Sequence, residues 1–133
     1  MAIIALVFSV SGALLSAQSE TSAGHLWQAQ EVLSFCRPVA MASVENRTIE
    51  LPDTLRAGIC WGAFGVLQEV IGWTEPDGTM VLRACVPLER TRSELVAVFV
   101  SYLDQHPTRR SDRFVEVALD ALRAAYPCPP LRR

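Results

Sequence analysis

Two amphipathic segments in the last third of the chain predict a pair of helices. The apolar residues of the first segment share one helix face, and they are Leu95, Val96, Phe99, Tyr102 and Leu103. Thr91 and Glu94 form a capping-box pattern at its start. His106 and Pro107 are expected to end it, because proline removes a backbone donor and clashes with the preceding turn.

The second segment is expected to begin at Ser111, with Asp112 in its first turn, and to end at Pro127. Its apolar stripe consists of Phe114, Ala118, Ala121, Leu122, Ala125 and Tyr126. Because only about five residues separate the two segments, the helices should lie antiparallel. Such a hairpin brings Cys85, which precedes the first helix, close to Cys128, which follows the second.

The stretch before the first cysteine predicts another helix, from about His25 to Cys36. The residues that recur there at helical spacing are Leu26, Ala29, Val32, Leu33 and Cys36. Pro38 is expected to disrupt this helix, since a proline cannot donate to the helical ladder.

A longer helix is predicted from Pro52 or Asp53 to Ile71. Proline is tolerated in a first turn, and Gly72 suits the far end. The apolar residues of this helix are Leu55, Ile59, Val66, Leu67, Val70 and Ile71.

Three glycines, Gly58, Gly62 and Gly65, recur within this longer helix. Each costs about 1 kcal/mol relative to alanine in a helix interior, and the usual compensation is the close approach of another element. We therefore interpret them as a packing groove against the first helix, and we expect Gly62→Leu to destabilise the fold. A phosphate-binding loop is not indicated, because no Lys-Ser/Thr pair follows the glycines.

Residues 1–17 have the pattern of a secretory signal peptide. Ala2 to Leu15 are apolar or small, a run too short for a bilayer span of about 20 residues, and Ser16-Ala17 fits a small-residue cleavage site. No basic residue precedes the run, so a buried N-terminal helix is the alternative. The expected product is a single helical domain, residues 18–133, in the periplasm, with no stable membrane insertion.

The four cysteines, Cys36, Cys60, Cys85 and Cys128, indicate disulfides rather than a metal site. None forms a C-x-x-C pair, and none lies at zinc-ligand spacing with a histidine. In an oxidising compartment four such residues make two disulfides, for which three connectivities exist. The hairpin favours Cys85–Cys128, which leaves Cys36–Cys60. The predicted fold is a small all-α domain of four helices with these two disulfides.

The charge and the residue types of the chain indicate neither an enzyme nor a nucleic-acid partner. The net charge of −2 gives no electrostatic attraction to nucleic acid. The acidic residues are scattered, and His106 is better interpreted as a helix-terminal residue than as a general base. Tyr102 and Tyr126 fall on apolar stripes and are core candidates. We expect no cofactor and no metal.

Two polar turns are candidate partner-binding segments, since loops on rigid scaffolds commonly carry binding function. The first contains Trp73, Glu75 and Asp77 beside a Pro-Asp-Gly turn signal, and a short extended segment is expected after it at residues 79–82. Trp73 is either a lid over the core, which is the commoner arrangement, or an exposed contact residue. The second turn carries Arg109 and Arg110 and is basic.

Several short motifs together resemble the Rap/Tai immunity protein family of type VI secretion systems. They are Gly58-x-Cys60-x-Gly62, Cys85-Val86-Pro87, Tyr102-Leu103-x-x-His106-Pro107 and Ala121-Leu122-x-x-Ala125-Tyr126-Pro127-Cys128. The resemblance covers roughly residues 26 to 128. This chain has Ala63 where the family tends to carry an aromatic residue.

The resemblance implies a small, exported, all-helical protein with disulfides, which is often a homodimer. It also implies a function: such proteins bind and block a peptidoglycan amidase that rival cells inject into the periplasm, and they are not enzymes. The alternative is a periplasmic helical module that binds another protein or a small ligand and has no toxin as its partner.

Overall fold

Helices make up most of the described part of the chain. The computed structural model describes residues 27–41, 44–45, 48–49 and 51–130. Its α-helices are α1 (Ala29–Ala40), α2 (Leu55–Ile71), α3 (Arg92–Gln105) and α4 (Phe114–Ala125). A two-residue antiparallel pairing joins β1 (Val44–Glu45) to β2 (Thr48–Ile49), and a 3-10 helix spans Pro107–Ser111. The predicted all-α class is confirmed, whereas the signal peptide prediction and residues His25 and Leu26 lie outside the described residues.

Helix α1 continues past the point where the sequence predicted its end. The backbone N–H of its N-cap, Gln28, donates to Glu31 Oε2 at 3.1 Å. The prediction that Pro38 disrupts the helix was wrong, because α1 runs through it to Ala40. Pro38 lies in the last turn, where its missing N–H costs a single backbone hydrogen bond, and the next residue, Val39, is fully buried.

Helix α2 begins at Leu55 rather than at the predicted Pro52 or Asp53. Its N-cap is Thr54, whose Oγ1 accepts a hydrogen bond from the backbone N–H of Ala57 at 3.1 Å. The helix ends at Ile71 as predicted. Its buried residues are Ala57, Cys60, Phe64, Leu67 and Ile71.

The glycines of α2 lie on the face that points away from the core. A Cβ atom placed at Gly58 or Gly62 meets nothing within 4 Å. The predicted packing groove against α1 is therefore wrong, because α2 contacts α1 through the opposite face, which carries Cys60. Gly65 differs, since its Cβ would lie 3.2 Å from the guanidinium carbon of Arg92.

Helix α3 has the start and the end that the sequence predicted. The backbone N–H of Thr91 donates to Glu94 Oε2 at 2.7 Å, and Thr91 Oγ1 accepts from the Glu94 N–H at 3.4 Å, which completes the capping box. His106 is the C-cap. Four of the five predicted apolar residues are buried, and Tyr102 is half-buried.

Helix α4 begins at Phe114, later than the predicted Ser111. Residue Ser111 ends the 3-10 helix, and the extended backbone that follows pairs with the entry to α1. The backbone N–H of Ala29 donates to the Asp112 carbonyl, and that of Phe114 to the Trp27 carbonyl, both at 2.8 Å. This tertiary pairing holds residues 112–113 extended and so delays the helix.

Three phenylalanines join α2, α3 and α4 at the centre of the core. The ring centroids of Phe64, Phe99 and Phe114 are 5.4 to 5.8 Å apart, mostly in edge-to-face contacts. Each such pair contributes about 0.5–1.5 kcal/mol beyond the buried area. From α1, Val32 and Val39 complete this core.

Both predicted disulfides are confirmed. Cys36 and Cys60 join α1 to α2 with their Cα atoms 5.3 Å apart. Cys85 and Cys128 join the segment before α3 to the segment after α4, with a Cα distance of 4.9 Å. The Cys85 N–H also donates to the Tyr126 carbonyl at 2.9 Å, so the two ends of the helical hairpin meet as predicted.

Candidate binding surface

A tight loop, residues 73–81, follows α2 and is closed by backbone hydrogen bonds. The Val81 N–H donates to the Trp73 carbonyl at 2.9 Å, and the Glu75 N–H donates to the Thr79 carbonyl at 2.8 Å. These bonds give the loop one defined backbone conformation. The predicted extended segment 79–82 is reduced to an isolated bridge at Met80.

The tip of the 73–81 loop is fixed by its own side chains. Gly78 adopts φ +83°, a conformation that glycine tolerates and most residues avoid. Asp77 Oδ1 accepts a hydrogen bond from the Thr79 N–H at 2.8 Å. Hydrogen bonding to Thr79 lowers the pKa of Asp77, so this carboxylate stays ionised at neutral pH and keeps the turn acidic.

Trp73 is 60% exposed, so the interpretation of this residue as a lid over the core is wrong. Val81, bonded to it through the backbone, is 42% exposed. Leu88, which is 86% exposed, places its Cδ2 close to Gly72, the residue before Trp73. The sequence pointed to Trp73, but nothing in the helical spacing singled out the other two.

The basic turn differs, because its arginines are engaged within the molecule. The guanidinium of Arg109 pairs with Asp112, with Asp120 at 3.1 Å and with the Tyr102 hydroxyl at 3.4 Å. The hydrogen bond to Asp112, above all, raises the pKa of Arg109 further above its already high value. Arg109 thus links the 3-10 helix to α3 and α4.

Arg110 belongs to a second cluster, which it shares with α1. Its Nη2 atom lies 3.6 Å from Asp104 Oδ1, and Arg37 grips the same carboxylate with two guanidinium nitrogens. The hydrogen bond from Arg37 is the main reason why the pKa of Asp104 is lowered. Both arginines of the predicted basic segment are therefore held by carboxylates of the same chain.

His106 and the tyrosines support the turn rather than form a reactive site. The His106 ring stacks on Tyr102 with centroids 4.2 Å apart, and its Nδ1 lies 2.8 Å from the Tyr102 carbonyl. This matches the prediction of a helix-terminal histidine. Tyr126 is half-buried beneath the guanidinium of Arg90, at 5.9 Å from the ring centroid.

What this arrangement offers to a partner is a surface for non-covalent contact. Across the ranges that the structure describes, no group of His, Cys, Asp and Glu residues could hold a metal ion. The four cysteines are all paired in disulfides. Of the helices described, none has the length and apolar character needed to cross a membrane.

The fold and the surface together define a class of protein: a small disulfide-bonded helical domain that carries a rigid, exposed loop with apolar and acidic side chains. The family of Rap1a immunity proteins matches residues 28–128, and the chain belongs to this family. No curated protein and no solved structure matches it.

Family membership settles the general role of the chain. Rap1a immunity proteins are inhibitors rather than enzymes, so the protein acts by binding a cognate effector. The resemblance inferred from the cysteine, glycine and His-Pro motifs is confirmed over nearly the same residues.

Proposed function

We propose that this protein is a periplasmic immunity protein that binds and inhibits a peptidoglycan amidase delivered by a type VI secretion system. The family supports the immunity role. Two disulfides, Cys36–Cys60 and Cys85–Cys128, suit an oxidising compartment such as the periplasm, where a cell-wall amidase acts. The proposed leader, residues 1–17, would direct the chain there.

The observation that carries the proposal is the exposed Trp73 at the base of a rigid loop. A large aromatic side chain that is 60% exposed is a typical anchor of a protein interface. The backbone bonds of the 73–81 loop and the disulfide at Cys85 fix the loop ends. Binding would therefore order few groups, and more of the contact energy would appear as affinity.

The 73–81 loop is favoured over the basic turn as the contact segment. Arg109 and Arg110 already pair with carboxylates of their own chain, so a partner would have to compete for them. Glu75, by contrast, makes no ion pair with any residue of the described ranges. We propose that the loop enters or covers the cleft of the amidase and blocks access of the substrate.

The test is protection of living cells. An amidase effector from the strain that produces this protein is exported to the periplasm together with the wild-type protein, with Trp73→Ala or with Leu55→Ala. Leu55 is the matched control, because it is 81% exposed at the far end of α2, about 25 Å along the helix from Trp73. We expect wild type and Leu55→Ala to prevent lysis and Trp73→Ala to fail while still folded.

Equal protection by all three proteins would place the interface elsewhere on the domain. Lysis in the presence of the wild type, together with no binding of the purified amidase, would contradict the amidase as the target. It would favour the alternative, a helical module with a different partner. The homodimer implied by the resemblance is also a proposal, and sedimentation of the purified protein measures it directly.

A further inference from the structure

A groove of about 600 Å³ lies beside the 73–81 loop, on the side of the Cys85–Cys128 disulfide. The residues that line it are Gly78, Thr79, Met80, Arg83, Cys85, Cys128 and Pro129. Its volume falls in the range of ligand-binding pockets. Among the lining residues that lie in the described ranges, Arg83 is the only charged one.

Arg83 has an unusual backbone that its surroundings hold in place. Its φ of +53° is the one positive value of a non-glycine residue among the described ranges. Such a conformation costs free energy and persists when neighbouring contacts enforce it. The carbonyl before it, that of Leu82, accepts from Arg123 Nε at 2.9 Å, and the residue after it, Ala84, is fully buried.

Among the described residues, Arg83 is the one arginine whose guanidinium has no partner there. In the described part of the chain, the remaining arginines pair with carboxylates or lie over aromatic rings: Arg37, Arg56, Arg90, Arg92, Arg109, Arg110, Arg113 and Arg123. Arg83 does neither, and its side chain is exposed at the groove. The described lining of this apolar groove holds a cation and no acidic residue, which makes it complementary to a carboxylate attached to an apolar group.

We propose that this groove binds a segment of the effector in which an aliphatic or aromatic side chain stands next to an Asp or Glu. The apolar side chain would fill the space between Met80 and Pro129, and the carboxylate would pair with Arg83, whose planar guanidinium suits two parallel hydrogen bonds. This inference rests on the proposed function, which supplies the effector as the partner. The groove wall formed by residues 78–80 belongs to the same loop as Trp73, so one partner surface can reach both.

The test measures the affinity of the purified, catalytically inactivated amidase effector for variants of this protein by calorimetry. Arg83→Asn removes the charge, and asparagine tolerates a positive φ, so the fold is retained. Arg83→Glu reverses the charge. Arg113→Asn is the matched control, because Arg113 is an exposed arginine before α4, whereas the groove lies just past the other end of that helix.

We expect Kd to rise at least tenfold for Arg83→Asn and at least 100-fold for Arg83→Glu, and to stay within twofold of wild type for Arg113→Asn. An Asp→Arg or Glu→Arg change in the effector should restore binding to Arg83→Glu, and that change identifies the carboxylate. Wild-type affinity of both Arg83 variants, with Trp73→Ala still defective, would overturn this inference and leave the proposed function intact. Absence of binding by the wild-type protein would overturn both.

Discussion

Arg37 on α1 donates hydrogen bonds from two guanidinium nitrogens to the carboxylate of Asp104 on α3, although 67 residues separate them in sequence. Arg110 approaches the same carboxylate from the 3-10 helix. One acidic side chain thus holds together three elements that pack against each other beside the predicted basic turn. The pairing lies at the surface, so its contribution to stability depends on solvent conditions.

Acid should remove the stabilisation that Asp104 provides. Its pKa in the folded protein is lowered, chiefly by the hydrogen bond from Arg37, so the contribution is complete above the pKa of an unfolded aspartate and is lost as the pH falls through the folded value. We expect Asp104→Asn to lower Tm at pH 7 and to lose this effect as the pH is lowered through the folded pKa of Asp104. Thermal unfolding of both proteins across this range measures the difference.

The control for this pH dependence is Glu116→Gln, which breaks a more exposed pair with Arg113, 3.5 Å apart. Its effect at pH 7 should be smaller than that of Asp104→Asn. A constant difference in Tm between wild type and Asp104→Asn at all pH values would show that the carboxylate acts through its shape rather than through its charge.

The two disulfides should differ in their resistance to reduction. Cys36 and Cys60 are fully buried, whereas Cys85 and Cys128 are partly exposed along the groove. A reductant reaches a disulfide only where a sulfur is accessible, so Cys85 and Cys128 should be the first to be alkylated under native conditions. Peptide mass mapping after a limited dose of reductant and iodoacetamide identifies the labelled residues.

Before reduction, protein isolated from the periplasm should contain no alkylatable thiol, which intact mass checks. Simultaneous labelling of all four cysteines at low reductant would mean that the whole domain opens before either bond is attacked. Labelling of Cys36 before Cys85 would contradict the burial difference.

Replacing the exposed glycines of α2 should stabilise the protein. Gly58→Ala and Gly62→Ala add a methyl group to open space and restrict the unfolded chain, so each should raise the free energy of unfolding by about 0.5–1 kcal/mol. Gly65→Ala should gain less, because its Cβ would press on Arg92, which lies over Trp61 at 4.6 Å. Urea denaturation of the three variants gives the ranking.

For the same reason, Gly62→Leu should leave Tm near the wild-type value, in contrast to the sequence-based expectation of destabilisation. A large fall in Tm in dilute solution would contradict the open space that surrounds this position. A fall that appears only at protein concentrations high enough for self-association would instead point to the exposed face of α2 as a contact between copies.

The helical hairpin of α3 and α4 shows how much the sequence could predict. Its capping box, its His-Pro end and the meeting of Cys85 with Cys128 all follow from local spacing and from a short connection. The first residue of α4 could not be predicted in this way. It depends on hydrogen bonds to the entry of α1, more than eighty residues earlier in the chain.

Helix α2 shows where periodicity fails. Apolar residues occur all around it, so the spacing of Leu55 and Val66 looked as core-like as that of Leu67, yet both are exposed. Phe64, which lies at the centre of the core, was not among the apolar residues predicted for this helix. The candidate binding surface was predictable from the sequence only at Trp73 and its turn. The isolation of the Arg83 guanidinium could not be predicted, because it depends on where the other described charged side chains lie.

Arg109 is the clearest example of a residue expected to stabilise the fold without contacting the partner. Its guanidinium bonds to Asp112, Asp120 and the Tyr102 hydroxyl, and its side chain is 31% exposed. Arg109→Ala should therefore lower the free energy of unfolding by roughly 1–3 kcal/mol, since hydrogen bonds to charged groups are lost and two carboxylates remain close together. Arg109→Lys should recover only part of the loss, because an ammonium cannot bridge the three acceptors with a planar fork.

Urea denaturation measures the stability of these Arg109 variants, and calorimetry measures their affinity for the effector under conditions in which each is folded. We expect unchanged affinity, because the guanidinium is turned towards its own chain while Trp73 faces outward. This prediction would be contradicted if Arg109→Ala had the unfolding midpoint of the wild type but bound the effector more weakly. That result would mean that the arginine leaves its carboxylates to reach the partner, and the basic turn would then belong to the interface.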